Sequence, residues 1–185
     1  PGKFANWIAP PARGINNQGD IVGLIYGALG NRAVLWPGGG APVDLGTSVA
    51  GLGWELVEAQ LINDKGQIAG LGKKDGVSAY FFLDVDNSIT KIIDQNPGNA
   101  IVSDLSEEGA VAGYMSAGSN TPGFIWRRGA DRIDIGGKVM SVANVGEYLI
   151  ATGAVGQSLS STRGVTWHSP YGEYDFTEIV PPDPS

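Results

Sequence analysis

The sequence predicts an all-β fold: a β-propeller-like array of four repeat units, each of about four short antiparallel strands. Three observations predict it. A nine-residue phrase occurs three times, at Ile15 to Gly23, Ile62 to Gly70 and Leu105 to Gly113, with a worn fourth copy at Val142 to Gly146. The first glycines of the copies, Gly19, Gly66, Gly109 and Gly146, stand 47, 43 and 37 residues apart. Each interval holds several short apolar runs and no sustained helical periodicity. Such a spacing marks an array of small units, about 40–45 residues per propeller blade.

The phrase itself is a hairpin. In Ile-Asn-x-x-Gly, Asn16 and Asn63 can bond their own backbone, and the glycine three residues on supplies the positive φ of a type I turn with a bulge. Ser106 can take the same part more weakly. In the fourth copy Ala143 cannot, and Asn144 next to it is the expected substitute. A second strand follows: Ile21-Val22-Gly23, Ile68-Ala69-Gly70, Val111-Ala112-Gly113. Its small residues and repeated glycine suit a close approach between neighbouring units.

A third strand aligns Arg32-Ala33-Val34-Leu35-Trp36 with Ser78-Ala79-Tyr80-Phe81-Phe82, Pro122-Gly123-Phe124-Ile125-Trp126 and Arg163-Gly164-Val165-Thr166-Trp167. A small second position and a ring at the fifth read as interlocking core. A fourth strand is expected at Val43-Asp44-Leu45, at Lys91-Ile92, at Ile133-Asp134-Ile135 and at Tyr174-Asp175-Phe176. The units run approximately over residues 12–58, 59–99, 100–139 and 140–180, in one repeat domain over 1–185. A leftover strand at 4–8 either closes a ring, belongs to a longer array, or pairs with a second copy through blade edges, which makes a homodimer an expectation. A β-sandwich gives no reason for four sequence repeats, and a solenoid has shorter, more regular coils.

Composition sets outer bounds. The chain has 185 residues, 29 glycines, 11 prolines and a 42% apolar fraction, so it can bury a core and is rich in turns. No apolar run approaches the length of a membrane span. The net charge is −7 and Lys73-Lys74 and Arg127-Arg128 are isolated doublets. Nucleic acid, which needs clustered basic residues, is therefore not an expected partner. There is no cysteine, which excludes disulfides, thiolate zinc sites and cysteine nucleophiles. The sequence opens at Pro1, without a methionine or a signal peptide, as a mature or trimmed product would.

The motif set resembles the HAF repeat family, also called extracellular repeat proteins, found mainly in bacteria. The family phrase is an Ile-Asn-Asp-x-Gly-x-Val-Val-Gly hairpin, then His-Ala-Phe-Leu-Trp, then a Thr-Asp-Leu-Gly-like strand. Ile62 to Gly70 matches the first part best; Arg32 to Trp36 and Pro122 to Trp126 match the second; Val43 to Gly46 and Ile133 to Gly136 match the third. None of the four copies keeps the histidine. The resemblance spans about residues 12 to 180. It implies a propeller-like fold and a bacterial extracellular or cell-surface location, and it brings no established activity.

A repeat array filters candidates for function: what recurs is scaffold, and what breaks the repeat is where a single ligand site can sit. Asp44, Asp134, Asp175 and the repeated tryptophans recur, and read as turn and core residues. His168 is the sole histidine, placed after Trp167 at an expected strand end, and no Gly-x-Ser-x-Gly elbow accompanies it. Asp84 and Asp86 form a faint calcium-loop pattern without its later glycine and glutamate, so a polar hairpin is the simpler reading. No cofactor motif occurs. The repeat is broken at residues 47–55, an insertion bearing Trp54 and Glu55; at residues 73–75; at Arg127 and Arg128; and at residues 168–174, with His168, Tyr171 and Tyr174. Aromatic rings beside charges are the makings of a protein or carbohydrate contact. The reading favours a secreted or surface binding module over an enzyme. The alternatives are a glycan-directed hydrolase with loop-borne carboxylates and an assembly protein pairing through blade edges.

Overall fold

The computed structural model describes residues 11–27, 30–94, 100–116, 122–155, 163–170 and 177–179. They form four four-stranded antiparallel sheets, each a sequential meander of the kind that makes a propeller blade. The first holds β1 (Ala12–Ile15), β2 (Ile21–Ile25), β3 (Arg32–Trp36) and β4 (Val43–Asp44). The second holds β5 (Trp54–Ile62), β6 (Ile68–Lys74), β7 (Val77–Leu83) and β8 (Ile89–Asp94). The third holds β9 (Ala100–Leu105), β10 (Val111–Met115), β11 (Gly123–Trp126) and β12 (Ile133–Ile135). The fourth holds β13 (Lys138–Val145), β14 (Tyr148–Val155), β15 (Arg163–Pro170) and β16 (Thr177–Ile179). The helical elements among the described residues are two single 3-10 turns, Pro37–Gly39 and Leu45–Thr47. The first two sheets make one compact unit and the last two another.

The repeated turn forms three times with one geometry. Gly19, Gly66 and Gly109 have φ of 80, 81 and 81°, and each N–H donates to the carbonyl three residues back, on Asn16, Asn63 and Ser106, at 3.0–3.1 Å. The side-chain oxygens of those three residues accept the N–H four residues on, from Asp20, Gln67 and Ala110, at 2.9, 2.9 and 3.0 Å. The N–H groups of Asn16, Asn63 and Ser106 in turn donate to the carbonyls of Asp20, Gln67 and Ala110, so the turn is closed by two backbone bonds and one side-chain bond, and all three residues are buried. The fourth copy departs from expectation. Asn144 lies within β13 opposite Leu149, its amide makes no hydrogen bond, and a two-residue loop at Gly146 and Glu147 reverses the chain. Without a side-chain acceptor at Ala143, the strand runs on and the shorter hairpin takes over.

The second-strand glycines Gly23, Gly70, Gly113 and Gly153 do mark close approaches, but the approaching group belongs to the same sheet. A Cβ on Gly70 would meet the Glu58 carbonyl and stand 2.8 Å from the Phe81 ring; one on Gly153 would meet the Lys138 carbonyl and stand 2.9 Å from the Trp167 ring. The first strand of each sheet carries a register shift, and in each sheet one of its carbonyls, or that of Pro11 just before β1, turns onto the glycine. The covering ring comes from the residue directly opposite in sheets two and three, Phe81 and Phe124. Where valine stands opposite, at Val34 and Val165, the tryptophan two residues on supplies it.

This pairing corrects the alignment of the third strand in the second unit. Gly70 faces Phe81 as Gly23 faces Val34, so the position of Trp36, Trp126 and Trp167 is held there by Leu83 rather than Phe82. A one-residue slip sends a side chain to the other face of a sheet. A register shift between Tyr80 and Phe81 against β8 accommodates it. His168 also differs from expectation: it is paired inside β15 with Ile150 on one side and Thr177 on the other, since the strand continues to Pro170. The leftover strand at 4–8 and the segment Tyr174 to Phe176 lie outside the described residues. The described fourth strand of the last sheet is β16.

Each unit has one core. In the first, Val22 and Ala33 of the first sheet and Leu45 of the 3-10 turn after it pack on Leu56, Ala59, Ile68, Phe81 and Leu83 of the second. In the second, Ala110, Ala112, Ile125 and Ile135 pack on Val139, Val142, Ala151, Val165 and Trp167. The glycine-and-ring face of the later sheet thus lies on the opposite face of the earlier one.

Candidate functional site

The two units join their sheets differently. In the second unit two residues, Gly136 and Gly137, link β12 to β13. In the first unit the link from β4 to β5 covers residues 45–53, and β5 starts earlier against its own register glycine than β13 does. Glu58 and Lys138 supply the equivalent carbonyls, yet β5 begins at Trp54 and β13 at Lys138. The extra chain builds a wall beside the seam between the first two sheets.

That wall is held at several points. Asp44 Oδ1 accepts the Gly46 N–H at 2.9 Å, and the Thr47 hydroxyl donates to the Asp44 carbonyl at 2.7 Å, which caps the 3-10 turn Leu45–Thr47. Val49 is fully buried in the core of the unit. The Asp75 N–H donates to the Gly53 carbonyl at 2.8 Å and the Lys74 ammonium to the Leu52 carbonyl at 3.0 Å. Asp75 and Gly76, at φ 50 and 85°, form the two-residue hairpin between β6 and β7.

The open cavity beside this wall is about 300 Å³ and is lined by Arg32, Asp44, Gly46, Thr47, Ala50, Trp54, Glu55 and Leu56. Trp54 stands opposite Lys74 and Glu55 opposite Lys73 on β6. The Trp54 indole meets the buried Phe81 ring edge to face, centroids 6.2 Å apart, which fixes its plane while leaving part of it exposed to the cavity. Glu55 lies between two cations: Arg32 Nη1 of the first sheet is 3.5 Å from Oε1, and Lys73 Nζ of the second is 3.4 Å from Oε2. Well-formed charge-assisted bonds are nearer 2.7–2.9 Å. The Glu55 contacts are loose and partly exposed, so these groups keep capacity for another hydrogen-bonding partner.

Two of the repeat-breaking segments, residues 47–55 and 73–75, therefore converge. Arg32 joins them without having been singled out in the sequence. Its signal was present: it occupies the column filled by Pro122 and Arg163 in other copies, which no single residue type holds. Asp44, read as a recurring turn residue, has that role and also lines the cavity.

The remaining candidates lie elsewhere. Arg127 and Arg128 belong to the turn after β11, closed by the Ala130 N–H on the Arg127 carbonyl at 3.2 Å, with Gly129 at φ 76°. His168 meets the half-exposed Tyr148 edge to face at 6.1 Å. Tyr171 and Tyr174 lie outside the described residues. Asp84 and Asp86 bind their own backbone: Asp84 Oδ1 accepts the Val85 N–H and Asp86 Oδ1 the Ser88 N–H, each at 2.8 Å, with Asn87 at φ 63°. Among the described residues no group of three or more His, Cys, Asp or Glu side chains could hold a metal ion. Among them, too, no helix is long and apolar enough to cross a membrane. A second hollow of about 390 Å³, between Glu108 and the hairpin tip of Asn144, Gly146 and Glu147, has no aromatic lining.

No protein-family model matches the sequence, and no curated protein matches it at a significant level. Among solved structures, one provisionally described as a gluconolactonase is similar at a TM-score of 0.47 and 12% identity, over 90% of this chain and 72% of that one. A likeness of that degree carries no argument about activity.

Proposed function

We propose that the protein is a non-enzymatic binding module whose ligand site is the seam cavity between its first two sheets. The observation that carries this is the convergence of Trp54, Glu55 and Arg32, with Lys73 paired to Glu55, at a cavity made by chain that breaks the repeat. At about 300 Å³ the cavity is at the small end of ligand pockets, with an aromatic wall and a few convergent polar groups, which is the usual make-up of such sites. The HAF-type motif set supports assigning the chain to that family and, with it, a location outside a bacterial cell. Screening the protein against glycan and protein arrays, beside Trp54→Ala and Arg32→Ala, tests the site. Loss of the captured ligand in both variants is expected; unchanged capture by both would refute it.

One observation favours a second reading, a glycan hydrolase: Asp44 and Glu55 are two carboxylates on one cavity. Against it, Asp44 Oδ1 is committed to the Gly46 N–H and both Glu55 oxygens face cations. Release of reducing ends from an array-identified glycan, abolished in Asp44→Asn and Glu55→Gln, would replace binding by catalysis.

A further inference from the structure

Resting on that reading of the seam, we infer that its ligand is a neutral polyhydroxylated ring, a carbohydrate unit with adjacent free hydroxyls, seated on Trp54 between Glu55 and Arg32. Arg32, Asp44 and Glu55 line the cavity, and Lys73, which lies outside the lining, pairs with Glu55; these four charges sum to zero, so a charged ligand gains little net field there. The polar groups are nevertheless of both kinds: carboxylates that only accept, and a guanidinium and an ammonium that only donate. A hydroxyl is the group that does both. Neighbouring hydroxyls on a ring can donate to Glu55 while accepting from Arg32, and so fill the capacity left by contacts of 3.4 and 3.5 Å.

The apolar surfaces fit the same class. Part of the Trp54 indole, with the exposed Ala50 beside it, gives an apolar surface next to the polar groups. A sugar ring presents C–H groups on its face and hydroxyls around its edge. The fixed plane of Trp54, set by Phe81, gives that ring one orientation. The size of the cavity limits the contact to about one or two rings, as at a chain end or a branch.

Glu55 then decides selectivity by charge as well as by hydrogen bonding. Glu55→Gln keeps an acceptor but removes the negative charge, leaving Arg32 and Lys73 in excess over Asp44. The same cavity would then favour an acidic sugar.

The test is calorimetric titration of the whole protein with matched neutral disaccharides, their uronic-acid counterparts and amino-sugar counterparts, at low and high salt. The wild type is expected to bind a neutral disaccharide with little salt dependence. Trp54→Ala should weaken it about tenfold or more, Trp54→Phe should largely restore it, and Glu55→Gln should shift preference to the uronic acid. Circular dichroism checks that each variant is folded. Binding by the wild type of charged sugars in preference, or of no sugar at all, overturns the inference. If a peptide or another ligand instead binds in a Trp54-dependent way, the ligand class fails and the seam site stands. If sugar binding is indifferent to Trp54 and Arg32, the site fails as well.

Discussion

The side-chain amide of Asn16 donates to the backbone carbonyl of Asn63, 3.3 Å away, at the equivalent point of the next sheet's turn. Beside it, the N–H of Asn17 donates to Asp64 Oδ1 at 2.8 Å. The residue that closes a turn within one sheet therefore also fastens that turn to the next.

Asn63 is 3% exposed, and its side-chain oxygen holds the Gln67 N–H. Asn63→Ala removes the acceptor of the part-buried Gln67 N–H. It is expected to lower stability by about 2 kcal/mol, measured as a shifted urea midpoint at unchanged slope.

Gly70 and Gly129 predict opposite kinds of glycine requirement. Gly70→Ala places a methyl group against the backbone carbonyl of Glu58 in β5 and the Phe81 ring in the core. The expected cost is at the upper end for overpacking, about 3 kcal/mol. Gly129→Ala meets no atom within 4 Å and pays only for φ at 76°, about 1–2 kcal/mol. Thermal unfolding of the two variants should rank them in that order.

Val49 anchors the inserted wall in the core. Val49→Ala removes two methyl groups there and should cost about 2–3 kcal/mol with the cavity left behind. It should also weaken ligand binding while leaving every cavity-lining side chain in place. A variant destabilised to this extent yet binding with wild-type affinity would show that the wall does not need its anchor.

The Glu55 ion pairs are long, and its side chain is 46% exposed. Glu55→Gln is expected to change stability by less than about 1 kcal/mol. A larger loss in the melting curve would make Glu55 a structural residue and remove the reason for assigning it to a ligand.

The turns were legible in the sequence because their cause is local: an acceptor side chain, two free residues and a glycine. The second-strand glycine is legible as a close approach, but sequence spacing points to a neighbouring unit, because it does not show that a bulged carbonyl of the same sheet turns inward. The register of β7 was obscured by two adjacent phenylalanines, Phe81 and Phe82, either of which suits a core column; pairing with Gly70 decides between them. Trp54 and Glu55 stood out as unmatched residues. Arg32 did not, because it acquires its part only when the start of β3 is brought across the seam to β5. Asn144 differs for a related reason: its type suits a turn, but the missing acceptor at Ala143 lets the strand run past it.

The second-strand glycine has an evolutionary consequence. It locks each sheet within its second strand, and in the first unit one end of the blade is committed to turns fastened from the first sheet to the second. The other end is released from that constraint. There β5 reaches back to Trp54, and the link after Asp44 is longer than the two residues after Ile135, with Val49 seating it in the core. New recognition surfaces on this scaffold should therefore arise by insertion at that rim. The segment around Trp54 would be a natural graft to carry into the junction between β12 and β13.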